Sequence, residues 1–104
     1  MNHAGAYAGA LHYLKTVAAM GPAQAKADGR ATIAKMKSIP GDDDAFGKSQ
    51  IREDGRNLVN AYLFEVKKPS ESKGKWDYYK LLATTPGDQA CRPLAEGHCP
   101  FVKA

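Results

Sequence analysis

Apolar residues near the start of the chain recur with the spacing of an α-helix. In residues 4–20 they are separated by three or four positions, which places them on one side of a helix. Gly21 and Pro22 then supply the break expected at a helix end. The stripe consists of Tyr7, Ala10, Leu11, Tyr13, Leu14, Val17 and Ala18. The pattern predicts a largely buried first helix.

A second helix is predicted after a polar, alanine-rich connector at residues 23–27. Asp28 is a typical N-cap residue, and Ile33, Met36 and Ile39 supply the apolar positions that follow it. Pro40 and Gly41 end the segment. Residues 1–40 are therefore expected to form a helical hairpin whose apolar side needs a further layer.

Alternating patterns replace the helical one in residues 41–87. Residues 49–52 and 57–59 read as a β-hairpin around an Asp-Gly turn, and the second strand is expected to continue into residues 61–66. After a polar loop at residues 69–75, a strand is predicted over residues 76–85. We expect a long antiparallel β-ribbon, followed by an irregular tail at residues 88–104. The aromatic face of the ribbon is expected to pack on the helices, on another copy or on further polypeptide. It comprises Tyr62, Phe64, Trp76 and Tyr78.

The predicted class is thus α+β, with the chain forming one partial domain. A chain of 104 residues can build one small core but seldom a deep pocket as well, so an enzyme is not expected. The net charge of +4 comes from 15 basic and 11 acidic residues that are scattered along the chain. Scatter of this kind indicates a solvated surface and does not favour nucleic-acid binding. The N-terminal segment does not match an export signal or a membrane span.

Two groups of residues could bind metal or react. Asp42, Asp43 and Asp44 are adjacent and lack the alternating spacing of a calcium loop, so a solvated turn or helix cap is the preferred interpretation. Cys91 and Cys99 enclose a short loop bent by Pro and Gly, which permits a disulfide. A zinc or redox site that includes His98 and a pair of unbonded thiols are the alternatives. No metal or cofactor is predicted.

Catalytic residues are not predicted either. His3 and His12 do not share a helix face, and neither has a nucleophile at a suitable spacing. Aromatic residues could stack on a planar ligand, although core packing explains their helix and strand spacing as well. They are Tyr7, Tyr13, Trp76, Tyr78 and Tyr79.

The sequence from VKKPSESKGKWDYYKLLATTPG to the tail resembles the C-terminal end of periplasmic solute-binding proteins of ABC transporters. The segments AGAYAGALHYLKTVAAMG, IAKMKSIPGDDDAFGK and IREDGRNLVNAYLFEVKKPSES extend the similarity over nearly the whole chain. The type is the branched-chain amino acid receptor, a two-lobed type I periplasmic binding fold. Family members are several times longer. Where this chain has Cys91, we expect an aromatic residue in family members. The resemblance therefore does not imply a Cys91–Cys99 bridge.

The resemblance implies a non-catalytic receptor that captures an amino acid or aromatic acid and delivers it to a membrane permease. It implies a periplasmic location, and it places Tyr7 at the inter-lobe cleft as a candidate ligand contact, with core packing as the alternative. The chain alone is expected to be oligomeric and to bind ligand negligibly. A free-standing protein-interaction module that uses the aromatic ribbon is the alternative function.

Overall fold

The computed structural model describes residues 2–100 and 102. It is a mixed helix and sheet structure, which confirms the predicted class. Two short 3-10 turns lie at Pro69–Glu71 and Leu94–Gly97. The helices and strands are α1 Asn2–Met20, α2 Pro22–Ala27, α3 Gly29–Ser38, β1 Gly41–Asp43, β2 Gly47–Ile51, β3 Asn57–Leu58, β4 Ala61–Val66, β5 Tyr79–Thr85 and α4 Gly87–Ala90.

The N-terminal region contains three helices where a hairpin of two was predicted. The first helix and the role of Asp28 are confirmed: the Asp28 carboxylate accepts hydrogen bonds from the backbone N–H groups of Arg30 (2.9 Å) and Ala31 (3.1 Å) at the start of α3. The predicted connector is instead the helix α2. Pro22 begins it, since a proline at the first helical position is already in helical geometry, and the alanines that follow favour a helix.

The predicted apolar stripe of α1 is not its buried side. Tyr7, Tyr13 and Leu14 are about half exposed or more, and Ile33 of α3 is also exposed. The helices meet through small residues because these let the backbones approach closely. The Thr16 hydroxyl donates to the His12 carbonyl of its own helix, and the Thr32 hydroxyl donates to the Asp28 carbonyl and to the Ala25 carbonyl of α2. Thr16, Ala25 and Thr32 are buried in the helical region, and Ala8 is buried where α1 faces Gly41 and Ser49 of the sheet.

A three-stranded antiparallel sheet, in the order β1-β2-β3, follows the helices. The predicted hairpin is confirmed by the pairing of Gln50 with Leu58, and Gly55 in its turn has a φ of 84°. Strand β1 was not predicted, because its residues were assigned to an acidic turn. The turn itself exists: the Asp43 carboxylate accepts from the backbone N–H groups of Ala45 and Phe46, both at 2.8 Å. We call residues 2–58 the body.

Strands β4 and β5 form a separate two-stranded sheet, which we call the ribbon. The prediction that the strand before it continues into β4 is wrong, because residues 59 and 60 interrupt the strand. Strand β5 also begins three residues later than predicted. Trp76 has a φ of 73°, which is incompatible with an extended strand, so Trp76 and Tyr78 lie in the loop that precedes β5.

The predicted aromatic face of the ribbon is corrected by this shift. Phe64 pairs with Leu81 and Leu63 with Ala83, so Leu82 is an extra residue in a β-bulge. Ring stacking follows the observed register: Phe64 lies 5.9 Å from Tyr79 and 6.0 Å from Tyr62, measured between ring centroids. Every residue of β4 and β5 is exposed, so the ribbon does not pack on the helices as one of the predicted arrangements required.

Candidate functional site

The residue singled out for ligand contact, Tyr7, lies where α1 approaches the turn between β1 and β2. Its hydroxyl donates a 2.7 Å hydrogen bond to the Asp44 carboxylate, thirty-seven positions later in the chain. An open cavity of about 340 Å³ adjoins this pair, and its walls include His3, Ala4 and Ala45. Tyr7 is 49% exposed in this chain, and both its ligand contact and its core packing stay predictions. We call this site the Tyr7–Asp44 corner.

The hydrogen bond at the corner changes the acidity of both partners. It raises the pKa of Tyr7 above its usual value, since the nearby Asp44 charge also disfavours a phenolate. The same bond lowers the pKa of Asp44, because the hydroxyl stabilises the ionised carboxylate. At neutral pH the corner therefore presents a neutral phenol beside a negative carboxylate.

Lysine side chains hold the neighbouring strand against α1. Lys15 Nζ donates to the backbone carbonyl of Asp42 at 2.7 Å, and Lys48 Nζ lies 2.9 Å from the Asp42 carboxylate. The bond from Lys48 is the main reason that the pKa of Asp42 is lowered. Both members of this ion pair are well exposed, so we expect it to orient the turn more than to stabilise the fold.

A larger open cleft of about 920 Å³ lies between α3 and the turn that joins β2 to β3. Its floor is apolar, with Ala27, Ile33 and Ala34, and charged residues surround it. Lys37 closes one end, where its Nζ donates to the Glu53 carbonyl at 2.6 Å. Cys99 brings the tail to the opposite wall. The cleft is wide open, unlike the enclosed cavity that is typical of a small-molecule site.

Arg52 forms an ion pair within the body and a hydrogen bond to the tail beside this cleft. Arg52 makes a bidentate contact with Asp54, through Nε at 3.0 Å and Nη2 at 2.7 Å. Its remaining Nη1 donates to the Arg92 carbonyl at 3.0 Å. The Arg52 hydrogen bond lowers the pKa of Asp54 to about 2. The Asp54 side chain is only 14% exposed, so this pair is much better shielded than the Lys48–Asp42 pair.

The two cysteines are both partly exposed, free thiols in the structure. Their pairing stays a prediction. Within residues 2–100 and 102 no group of three or more His, Cys, Asp or Glu side chains is arranged to hold a metal. In that same part of the chain, none of the helices has the length and apolar character that crossing a bilayer requires.

Asp44 is the residue of the corner that the sequence did not single out. It was grouped with its two neighbours as a solvated turn, and periodicity alone does not show that this turn folds back onto α1. The contact spans distant parts of the chain, so only the tertiary structure reveals it.

Comparison with known proteins gives a consistent result. The family described as "Periplasmic binding protein" matches residues 1–75. A periplasmic binding protein from Burkholderia mallei is 43% identical, with a TM-score of 0.80 over 93% of this chain and 24% of its own. A branched-chain amino acid ABC transporter periplasmic ligand-binding protein from Burkholderia xenovorans LB400 is 39% identical, with a TM-score of 0.80 over 93% of this chain and 25% of its own. This chain thus spans about a quarter of each. Proteins of curated function yield no match.

Proposed function

The chain belongs to the periplasmic binding protein family, and we propose that it forms the C-terminal part of an ABC-transporter solute receptor. In that role it contributes to a two-lobed protein that captures a small molecule and delivers it to a membrane permease. The match of residues 1–75 to the family carries the proposal. The similarity of fold to two much longer proteins supports the partial character of the chain.

The proposed solute is an amino acid, of the branched-chain type or a related small carboxylate such as an aromatic acid. Support comes from the Burkholderia xenovorans protein, which is described as a branched-chain amino acid receptor. The proposed location is the periplasm, and the proposed role is binding without catalysis.

Within such a receptor, Tyr7 is the proposed ligand contact. Its ring is half exposed at an open cavity, and Asp44 keeps its hydroxyl oriented. The carboxylate of Asp44 and the phenol oxygen are acceptors, which suits the ammonium group of an amino acid. The ring supplies an apolar surface beside them.

The chain alone is not proposed to bind this solute well. Small-molecule sites usually enclose most of the ligand surface, whereas the Tyr7–Asp44 corner is an open cavity of about 340 Å³. Calorimetric titration of the chain with leucine, valine, isoleucine and phenylacetate is expected to show no micromolar binding. Micromolar affinity for any of them would contradict this part of the proposal.

The function is tested by exchanging the matching segment of a longer relative. This chain replaces the corresponding quarter of the Burkholderia xenovorans protein, and calorimetry measures the binding of leucine, isoleucine and valine. We expect the chimera to fold and to keep its affinity within about tenfold of the parent, because this chain is 39% identical to the segment it replaces and shares its fold. A folded chimera without affinity for any solute that the parent binds would contradict the proposal.

Tyr7 is tested in the same chimera. Tyr7→Phe removes the hydroxyl and keeps the ring, and we expect about a tenfold loss of affinity if the Tyr7–Asp44 pair contacts the solute. Tyr13→Phe is the matched control, because Tyr13 is on the same helix and similarly exposed at 46%. Equal affinities of the two variants would exclude the Tyr7 hydroxyl from the ligand contact.

A free-standing interaction module is the second candidate function, and the exposure of every strand residue of the ribbon favours it. The DNA upstream of the Met1 codon separates the two. An in-frame receptor sequence with an export signal supports the receptor, whereas a promoter and ribosome-binding site without receptor sequence support the module.

A further inference from the structure

Both cysteines of the chain lie beside the turn that joins β2 to β3. Cys91 precedes Arg92, whose carbonyl accepts a hydrogen bond from Arg52 Nη1 at 3.0 Å. The pKa of Arg52 is raised mainly by its hydrogen bond to Asp54, and Cys91 lies close enough to add to that rise. Cys99 lines the open cleft together with Asp54. The Arg52–Asp54 ion pair therefore lies beside both cysteines.

The segment between the two cysteines is compact. It has seven residues, and the 3-10 turn Leu94–Gly97 shortens it, because such a turn rises only about 2 Å per residue against roughly 3.3 Å in an extended chain. Within this segment the Glu96 N–H donates to the Pro93 carbonyl at 3.2 Å. His98 follows with a φ of 47°, the left-handed conformation that ends a helical turn and redirects the chain. The two ends of the segment are therefore closer than in an extended chain, as a disulfide requires.

The segment between the cysteines also has freedom to adjust. Among the hydrogen bonds of the described residues, only the one from Arg52 joins residues 91–100 to the body. Cys91 and Cys99 are both partly exposed, so a small oxidant has access to them. Thiol–disulfide exchange depends on such access and ends with two sulfurs about 2 Å apart, so a segment that can move favours it.

From these observations we propose that Cys91 and Cys99 form a disulfide when the chain meets a low-molecular-weight disulfide, and that this bond fixes the tail beside the Arg52–Asp54 pair. In the first step one cysteine thiolate attacks glutathione disulfide, which gives a mixed disulfide and releases one glutathione. In the second step the other thiolate attacks the mixed disulfide at the cysteine sulfur and releases the second glutathione. The two protons of the cysteine thiols and two electrons pass to the two glutathione molecules, so the exchange is balanced.

Each cysteine has one possible partner within the chain, since the sequence contains two cysteines. The proposal does not rest on the proposed function, because both cysteines and the turn beside them belong to this chain. A cysteine of a second copy is the competing partner, and it would give a disulfide-linked dimer.

Mass spectrometry of the reduced full chain, treated with glutathione disulfide, tests the pairing. We expect the intact mass to fall by about 2 Da, because two hydrogens are lost, and peptide mapping to join Cys91 to Cys99. Cys91→Ser and Cys99→Ser should each stop with one bound glutathione, since the thiol that resolves the mixed disulfide is missing. Two bound glutathiones on the unmodified chain, a disulfide-linked dimer or a chain that stays reduced would overturn the proposal.

Redox titration in glutathione buffers tests the contribution of the fold to this pairing. We expect the equilibrium constant for disulfide formation in the folded chain to exceed that in concentrated urea by at least about tenfold, because the folded turn holds the two cysteines near each other. Equal constants with and without urea would overturn the proposal.

A matched pair of variants locates that contribution at Arg52. A lysine does not reproduce the bidentate contact with Asp54 together with the bond to Arg92, so Arg52→Lys should lower the constant of the folded chain by at least about fivefold. Arg56→Lys is the control, because the hydrogen bonds described for Arg56 involve only its backbone, and it should change the constant by less than about twofold. Circular dichroism checks that both variants fold, and equal constants for the two would contradict the role given to the Arg52–Asp54 pair.

Discussion

The body and the ribbon hold their shapes by different means. In the body, small side chains bury the contact between helices, and bonds between distant residues join the helices to the sheet. His12 Nε2 lies 2.9 Å from the Met36 carbonyl oxygen, and the Gln50 side chain donates to the Lys37 carbonyl at 2.8 Å. In the ribbon, every strand residue is exposed, and the backbone ladder supplies most of the order.

The tip of the ribbon is the part that side chains organise. Lys67 Nζ lies 2.7 Å from Asp77, whose second carboxylate oxygen accepts from the backbone N–H of Lys73 at 2.9 Å. These bonds close the loop that holds Trp76 in its left-handed conformation. A two-stranded ribbon with only this support is marginal in water, so we expect the body to resist unfolding longer than the ribbon.

In the described part of this chain, the buried residues are small and most of the large apolar residues are exposed. The large apolar residues of α1 and of the ribbon are exposed, and alanine and threonine are buried. Changes of volume at the buried small residues should therefore have larger effects than changes at the exposed large ones.

The largest effect is expected from filling the contact between the helices. Ala25→Leu adds three carbons at a residue that is 8% exposed and whose carbonyl accepts from the Thr32 hydroxyl of α3, and we expect a loss of about 2–3 kcal/mol in the free energy of unfolding. Ala23→Leu is the control at an exposed position of the same helix and should change stability by less than about 0.5 kcal/mol. Urea denaturation measures both, and similar values for the two would show that the contact is not tightly packed.

A smaller effect is expected where the ribbon joins the body. A Cβ at Gly87 would lie 2.9 Å from the backbone nitrogen of Val59, and the Gly87 N–H also donates to the Asn60 side chain at 3.2 Å. We expect Gly87→Ala to cost about 1–2 kcal/mol, because backbone atoms have to move.

Hydrogen exchange locates the cost of Gly87→Ala. The rate of amide hydrogen exchange should rise in β3, β4 and β5 and stay unchanged in α1. Gly74→Ala is the control, since a Cβ there meets no atom within 4 Å. If Gly87→Ala left exchange in the ribbon unchanged, the ribbon would not depend on this junction.

The smallest effect on stability is expected from lowering the pH. The pKa of Asp54 is lowered from 3.8 to about 2, so its stabilisation is fully present above pH 3.8 and is lost as the pH falls towards 2. Asp54→Asn should therefore weaken the dependence of stability on pH in this window. It should also release the tail, since Arg52 would lose its orientation towards the Arg92 carbonyl.

Asp77→Asn is the matched change in the ribbon. The pKa of Asp77 is also lowered, mainly by the Lys67 hydrogen bond. The stabilisation by Asp77 is therefore also lost as the pH falls. We expect this variant to alter hydrogen exchange only near the tip. Acid unfolding curves that are identical for Asp54→Asn and the unmodified chain would contradict the role assigned to Asp54.

Much of the local structure could be predicted because it depends on neighbouring residues. Asp28 caps α3 through N–H groups two and three positions later, and Gly55 turns a hairpin through its own backbone freedom. The prediction of a connector at residues 23–27 was wrong. Pro22 was expected to end a helix, although it begins α2. Strand β1 failed because consecutive aspartates favour a turn, and pairing with β2 outweighs that preference.

The candidate site was only half predictable. Tyr7 came from the resemblance, whereas Asp44 depends on a contact that local pattern does not encode. The aromatic face of the ribbon was misassigned because a single bulged residue, Leu82, and a left-handed Trp76 changed the register.

The sequence by itself determined the class of the fold, most of its helix and strand segments and its family, because capping, turn chemistry and periodicity act over a few residues. The tertiary structure alone decided which side of α1 is buried, which aspartate meets Tyr7 and which face of the ribbon is apolar. These features depend on the distance of closest approach between helices and on strand register. Both are set by packing between parts of the chain that are far apart in sequence.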